Sequence, residues 1–590
     1  MTTRFIGLMG LACLGTLSVC RGSGDGSAAP PASPSQPPSS CNQVTSAVSS
    51  LHLGAGIKLR ILSVETVADS GSVPAHCHVI GAINERTGRV DNKPYAIKFR
   101  LRMPVNWNGR FFMEGGGGSN GVLGTSATSG NYGSIGGRQT TTALSMGYSV
   151  IATDSGHDNT VDSDPNASGA SAFGMDHEAR IDFGYRSYEL VTKVGKAIVT
   201  RYYAKAPDKS YFVGCSEGGR EAALMAERFP ELYDGIVVGD PGISLPYSAS
   251  YAPYLIQTFG PLAVAQGKVD AAGTPLLNKT FTDGDLQLVA AGVLAACDRR
   301  DGLQDGMVNN VKACTDAVVM PELRKLQCTG AKDASCLTGG QIDAMHAAMQ
   351  GPRTSRGKQL YSATPWDPGI GGMNGSTFNG GFRSWWLGSY ASATNNAIKI
   401  TLSTPQHAMV WRTPPVPLTA DKYLNFEANF NIDATEDLIS ATTRIYTESA
   451  KSFGMANSVD LKAFASRGGK MLMFHGMADS SFSAYDTMNW YDGINRDQGG
   501  KAAAFAKLFL IPGMNHCSGG PATDSFDIFT PLVKWVEQGV APASIRASAS
   551  NPGYFGVASR TRPLCPYPTY AAYKGAGDIN SAESFVCSAP

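Results

Sequence analysis

Residues 213–220 read VGCSEGGR and hold the frame Gly214-Cys215-Ser216-Glu217-Gly218. A serine flanked by glycines at this spacing suits a nucleophile carried on a sharp strand-to-helix turn. By itself the pentapeptide is also compatible with an ordinary glycine-rich turn. A serine hydroxyl is a weak nucleophile at neutral pH and needs a neighbouring base to accept its proton. The base needs a buried carboxylate to set its tautomer and stabilise the imidazolium. The chain supplies both downstream, in the order Ser216, Asp479, His516. Asp486 is the second candidate for the acid. Among the competing histidines, His157 precedes the serine and His475 falls inside a strand-like run, so neither fits the order.

Cys215 stands directly before the serine and Cys517 directly after the histidine. If Ser216 and His516 touch, these neighbours come within disulfide reach, roughly 5.5–6 Å between Cα atoms. Cys215 then reads as a staple on the base-bearing loop, with a free buried thiol as the alternative. Of the 12 cysteines, Cys13 and Cys20 fall in an N-terminal leader, which leaves 12 − 2 = 10. An even number in an exported chain implies disulfides. Proximity in sequence suggests Cys328 with Cys336, Cys297 with Cys314, Cys565 with Cys587 and Cys41 with Cys77. Cys215 and Cys517 remain as a long-range pair.

These side chains need a scaffold that brings distant loops together. The run AIKFRLRMP (96–104) alternates apolar and charged residues, as a half-exposed strand does. GRFFMEGGGGSNG (109–121) reads as a strand entering a glycine-rich loop, and YSVIATDSGHDN (148–159) as a buried strand with a polar end. Residues 181–205 have helical spacing of apolar positions. KSYFVGCSEGGREAALMAERFP reads as strand, turn at Ser216 and helix ending before Pro230, followed by the strand in YDGIVVGDPG. After an irregular middle, GGKMLMFHGMADSSFS (468–483) and FAKLFLIPGMNHCSGG (505–520) are strands ending in the loops that carry Asp479 and His516. Alternating strands and helices predict an α/β fold with a parallel sheet and crossovers.

A chain of 590 residues exceeds one ordinary core, so a large domain with an insertion or second domain is expected. The net charge of +1 offers no basic surface for nucleic acid or for a polybasic membrane contact. Arg4 followed by the apolar run Phe5–Val19 reads as a signal peptide over residues 1–20. Leu17-Ser18-Val19-Cys20 resembles a lipobox, although Val19 is bulkier than the residue that usually precedes the lipidated cysteine, so simple cleavage is a close alternative. Residues 21–40 are a Pro/Ser/Gly-rich linker. The mature protein is expected outside the cytoplasm, secreted, periplasmic or lipid-anchored in the outer membrane, as a monomer whose partner is a small molecule.

VGCSEGGRE, TDSGHD, PGMNHCSGGPATDSFD and the CS…D…HC arrangement resemble the tannase/feruloyl esterase family over nearly the whole mature chain. YAIKFRLRMP, RFFMEGG, WWLGS and NPGYFGVASRTRPLCPYP are closest to members that hydrolyse terephthalate monoesters. The resemblance implies an α/β-hydrolase core at 41–242 and 456–590 with a large inserted lid domain at 243–455. The expected reaction is hydrolysis of an aromatic-acid ester through an acyl-enzyme. The substrate is expected to be mono(2-hydroxyethyl) terephthalate, cleaved to terephthalate and ethylene glycol, with gallate or hydroxycinnamate esters as the alternative. A calcium-stabilised binding protein on a dead hydrolase scaffold is the non-enzyme alternative, but such proteins usually lose a triad residue and none is lost here. An oxyanion hole takes one N–H from the residue after the nucleophile, Glu217, and one from the earlier glycine-rich loop, which the resemblance puts at Gly118. It also implies that Trp385 and Phe482 hold the aromatic ring. Lys399 and Ser403 align where the terephthalate monoester hydrolases carry an arginine and a phenylalanine. Lysine keeps the charge but lacks the bidentate fork.

In the insertion, CDRRDGLQDGMVNN (297–310) crowds Asp298, Asp301 and Asp305. Carboxylates this close repel unless a hard cation sits among them. Asn309 stands where an EF-hand needs an acid. The resemblance implies structural calcium, with the carbonyls of Leu303 and Met307 completing the shell; a solvated acidic turn is the alternative.

Overall fold

Nine strands build the central sheet: β1 (Leu59–Val67), β2 (His76–Thr87), β3 (Pro94–Pro104), β4 (Arg110–Glu114), β5 (Ser149–Thr153), β6 (Lys209–Cys215), β7 (Gly235–Gly239), β8 (Lys470–Gly476) and β9 (Ala506–Ile511). The computed structural model describes residues 40–590 except 49–50, 52, 55, 124–131 and 373–380. The expected signal peptide, Cys20 and the linker up to residue 39 lie outside the described residues. No described helix is long and apolar enough to cross a membrane.

The strand order is β1-β2-β3-β5-β4-β6-β7-β8-β9. From β5 to β9 every pairing is parallel. β1, β2, β3 and β5 pair antiparallel, so the sheet is mixed and the expectation of a parallel sheet holds only for its larger part. The physical reason is connection length. β1 to β3 follow one another through short turns, which suit antiparallel neighbours, whereas parallel pairing requires a long crossover.

Side chains of the central strands alternate between two cores. Phe111, Met113, Phe212, Ile236, Val238, Met471 and Met473 join one buried apolar cluster. Phe112, Tyr211, Val213, Val237, Leu472 and Phe474 join another. The helices Ser187–Tyr203, Glu217–Arg228 and Ala484–Asp497 bury residues in the first cluster, and Phe529–Gln538 buries residues in the second. Burial on both faces explains why these strands read as continuous apolar runs. β3 shows the alternating pattern instead, with Ile97, Phe99, Leu101 and Met103 buried and Lys98 and Arg100 partly exposed.

Between β7 and β8 the described chain adds no strand to this sheet. Helices Tyr251–Ala265, Asp283–Cys297, Asp316–Lys325 and Gly339–Met349 share a third apolar cluster that includes Phe259, Val293, Leu323, Met345 and Trp386. The ends of this segment meet: Ser244 forms an antiparallel bridge with Met455, and Ala456 N donates to Ile243 O at 2.8 Å.

The ten described cysteines are paired as expected: Cys41–Cys77, Cys215–Cys517, Cys297–Cys314, Cys328–Cys336 and Cys565–Cys587.

Candidate active site

Ser216 follows the last residue of β6 and caps the helix Glu217–Arg228. Its φ of 67° and ψ of −125° place a non-glycine residue in a sparsely populated backbone region. Such strain persists only where the surroundings enforce it. The two flanking glycines are steric requirements of this turn. A Cβ on Gly214 would lie 2.1 Å from Gly218 O, and one on Gly218 would lie 2.7 Å from Gly116 O. The helix runs on through small and unbranched residues and stops at Arg228, just ahead of Phe229-Pro230, where proline disfavours helical geometry in the residue before it.

His516 Nε2 is 2.7 Å from Ser216 Oγ, and His516 Nδ1 is 2.8 Å from Asp479 Oδ2. The tautomer that accepts the serine proton at Nε2 therefore carries its own proton at Nδ1, facing the carboxylate. Asp479 Oδ1 accepts from the backbone N–H of Ser481 at 2.7 Å and of Phe482 at 3.1 Å. Burial pushes this carboxyl upward. The charge of His516 and hydrogen bonds from His475 and His516 outweigh that and hold it well below the carboxylate range. Asp486 is not the acid of this set; it is half-buried and its Oδ1 accepts from Ser362 Oγ at 3.2 Å. His157 is also elsewhere, stacked on Phe173, its pKa pushed down to about 3 by burial.

The Cys215–Cys517 bridge spans 6.1 Å between Cα atoms and ties the elbow to the histidine loop. Asp240, just past β7, fastens the same loop: its Oδ2 accepts from Cys517 N at 2.7 Å and its Oδ1 from Gly476 N at 2.6 Å. Sequence reasoning missed Asp240, although an acid immediately after a buried strand, in GDPG, was a visible signal. His475 sits in β8 as its pattern predicts, yet its ring lies behind Asp479, with Nε2 3.3 Å from Asp479 Oδ2.

Gly118 has φ +62° and sits in the loop after β4. The backbone N–H groups of Gly118 and Glu217 have no partner among the described residues, and both residues line one cleft with Ser216. Glu221 and Asn120, neither singled out by the sequence, hold the glycine loop from beneath. Glu221 Oε2 accepts from Gly116 N at 2.8 Å, Glu221 Oε1 from Asn120 Nδ2 at 2.7 Å, and Asn120 Oδ1 from Gly117 N at 2.7 Å.

Trp385, Lys399, Phe482 and Ser403 line the same cleft, of about 470 Å³, and Gln406 joins them. The Trp385 and Phe482 rings stand edge-on to His516 at centroid distances of 5.3 and 5.5 Å. Lys399 is buried, and its Nζ donates to Ser481 O at 2.7 Å. The ammonium also lies over the rings of Tyr251, Trp385 and Phe482 at 5.5 to 5.9 Å. Burial lowers its pKa to about 8, with Asp479 opposing the shift.

The aspartate loop of the insertion is closed by Cys297–Cys314. Asp298 accepts from the N–H groups of Asp305 and Gly306, Asp301 from those of Leu303 and Asn309, and Asp305 pairs with Arg562. Among the described residues, the sets of three acidic, His or Cys ligand atoms within 4.8 Å of one another are elsewhere, at Cys215–Asp240–Cys517 and Asp240–His475–Asp479. The donors of the aspartate loop are all oxygens, which fits a hard cation such as calcium. Asp298 and Asp301 are buried, and burial raises both carboxyls, Asp301 to about 7. A cation held by Asp298, Asp301 and Asp305 with the Leu303 and Met307 carbonyls would lift that penalty.

Residues 77–588 match the family described as tannase and feruloyl esterase. The chain belongs to that family. It is 50% identical over 530 residues to a mono(2-hydroxyethyl) terephthalate hydrolase of Piscinibacter sakaiensis, covering 89% of this chain and 86% of the relative. A probable feruloyl esterase of Arthroderma benhamiae is 28% identical over 510 residues, covering 84% of this chain and 83% of that one. Feruloyl esterase B from Aspergillus oryzae has the same fold, with a TM-score of 0.69 at 21% identity, covering 93% of this chain and 100% of that one. So does tannin acyl hydrolase from Aspergillus niger, with a TM-score of 0.60 at 17% identity, covering 95% and 97%. As a member of the tannase and feruloyl esterase family, the protein is a carboxylic ester hydrolase on an α/β-hydrolase-like scaffold.

Proposed function

We propose that this family member hydrolyses mono-esters of aromatic dicarboxylic acids, with mono(2-hydroxyethyl) terephthalate as the substrate, at Ser216, His516 and Asp479. The observation that carries this reading is the hydrogen-bonded chain from Ser216 through His516 to Asp479, opening on a cleft walled by Trp385 and Phe482 with a buried cation, Lys399. Half-identity to a terephthalate monoester hydrolase over most of both chains supports the substrate.

Ser216 Oγ attacks the ester carbonyl carbon as its proton passes to His516 Nε2. The carbonyl oxygen becomes an oxyanion and accepts from the N–H groups of Gly118 and Glu217, interactions that strengthen only as the charge develops. The C–O bond to the alcohol breaks, His516 returns the proton to that oxygen, and ethylene glycol leaves. Water, deprotonated by His516, then attacks the acyl-enzyme, and the aromatic acid leaves with Ser216 restored. Asp479 keeps the imidazolium oriented and compensated throughout. Residues 243–455 act as the lid that supplies Trp385 and Lys399, pinned at its ends by the Ser244–Met455 bridge. The aspartate loop holds calcium in a structural role. Five disulfides accord with export from the cytoplasm.

A second reading, a gallate or hydroxycinnamate esterase, is favoured by Ser403 and Gln406 on the cleft wall, which offer polar partners to ring hydroxyls. Ser216→Ala should abolish turnover of every ester and leave the fold intact; substantial residual turnover would refute the triad. For the wild type, kcat/KM should favour mono(2-hydroxyethyl) terephthalate over methyl gallate and methyl ferulate, and the reverse ranking selects the second reading.

A further inference from the structure

His475 lies in β8 with its side chain fully buried, in a place where no step of ester hydrolysis uses it. Its Nε2 faces three acceptors: Asp479 Oδ2 at 3.3 Å, Phe482 O at 3.3 Å and Asp240 Oδ1 at 3.7 Å. Three oxygens around one ring nitrogen require that nitrogen to carry a proton. Nδ1 is 2.9 Å from Thr487 Oγ1, from the helix that follows Asp479. The ring therefore stands between two buried carboxylates, Asp240 at the end of β7 and Asp479 after β8. Two buried anions this close are costly unless a cation lies between them.

We propose that His475 is a positioning residue that shares the Asp479 carboxylate with His516, acting as a buried counter-cation that limits how strongly Asp479 holds the catalytic imidazolium. The proposal rests on the triad reading given above. Asp479 Oδ2 is the shared atom, 2.8 Å from His516 Nδ1 and 3.3 Å from His475 Nε2. Asp240 completes the arrangement by fixing the end of β8 through Gly476 N and the histidine loop through Cys517 N. The groups that set the local field are Asp240, Asp479 and Asp486 as acids, with His516 against Asp479 Oδ2 and Lys399 hydrogen-bonded to Ser481 O. Burial pulls His475 down, but the Asp240 charge and the Asp479 hydrogen bond reverse the shift and raise it. Burial raises Asp240 to about 6, with the charge of His475 opposing.

The sign of the effect follows. With the positive charge removed, the full field of Asp479 falls on His516, and the imidazolium form, which cannot accept the serine proton, persists to higher pH. His475→Gln keeps an N–H donor near the position of Nε2 and loses the charge. The acid limb of its kcat/KM profile on a neutral ester should move up by about one pH unit, as expected for a charge change at this range. At a pH below the limb this is roughly a tenfold loss, shrinking to little at the alkaline plateau. A purely structural role would lower the plateau and leave the limb in place, and an unmoved limb in folded His475→Gln overturns the proposal. If that variant does not fold, the histidine N–H resonances of the wild-type enzyme decide. A buried ring that keeps both N–H protons at pH 8, and whose signals shift in Asp240→Asn, supports the proposal, and its absence overturns it. Ser216→Ala separates the two levels: turnover there removes the triad itself, whereas an inert Ser216→Ala with an unmoved His475→Gln limb removes only the role of His475.

Discussion

On the proposed reading, Lys399 decides which aromatic ester the cleft prefers. Its ammonium is fixed by Ser481 O and by three rings, and burial brings it to about pKa 8. It is charged below that pH and increasingly neutral above it. A substrate carboxylate is held only by the charged form, so the ratio of kcat/KM for mono(2-hydroxyethyl) terephthalate to that for a neutral ester should fall by several-fold between pH 7 and 9. Lys399→Arg should abolish that fall, because guanidinium stays charged, and should raise the monoester kcat/KM about fivefold through a bidentate pair worth roughly 1 kcal/mol. Lys399→Ala should lower the monoester rate and spare methyl gallate; equal losses on both would show that the lysine is only a post for the rings. The triad residues were legible because each ends an apolar run and because Cys215 and Cys517 mark the same contact twice. The sequence marks where Asp240 and His475 stand, but not what they touch, because their partners come from β7, β8 and the loops after them, a convergence that no local spacing records.

The glycine loop after β4 works only if its N–H groups are aimed, and the aim comes from the nucleophile's own helix. Glu221 lies one turn beyond Ser216 and accepts from Gly116 N, while Asn120 bridges Glu221 to Gly117 N. Elbow and glycine loop are thus locked to each other through hydrogen bonds. Glu221→Gln can offer an oxygen to Gly116 N or to Asn120 Nδ2, but not to both, and its amide N–H then opposes another donor. Displacing the Gly118 N–H should lower kcat at least tenfold, toward the cost of one oxyanion donor, with KM little changed. Steady-state kinetics on one ester check this, and a rise in KM at constant kcat would count against a role in aiming the loop. The strands on either side of this loop were readable because burial on both faces makes β4 to β9 continuous apolar runs. β1 and β2 escaped notice: β1 pairs only with β2 on one side and has no buried residue, so it lacks an apolar run.

At the scale of the whole chain, the sheet fixes where Ser216, Asp479 and His516 meet, and the helical insertion brings Trp385 and Lys399 to them. That division was visible in outline, since strand–helix alternation stops after residue 242 and resumes near 468. The packing of the insertion was not, because most of its helices are short, many are 3-10 or π turns, and their apolar residues serve a separate core. The aspartate loop links the two parts. Arg560 Nη1 donates to Asp305 O at 2.7 Å and Arg562 pairs with the Asp305 carboxylate, both from the strand region near the C-terminus. A cation bound by Asp298, Asp301 and Asp305 would therefore stabilise the attachment of the insertion without touching the chemistry at Ser216. Ligand binding to the folded state contributes about 2.7 kcal/mol at a hundredfold excess over Kd. Spread over a chain of this size, that is a rise in Tm of about two degrees. Calcium added to chelator-stripped protein should produce this rise, and Asp301→Ala should start from a lower Tm and show no calcium increment. Its kcat on a neutral ester, measured well below the new Tm, should stay within a factor of two of the wild type. A Tm indifferent to chelator and to calcium would reduce the loop to a hydrogen-bonded turn held by Arg560, Arg562 and its own disulfide, and the insertion would then owe none of its attachment to a cation.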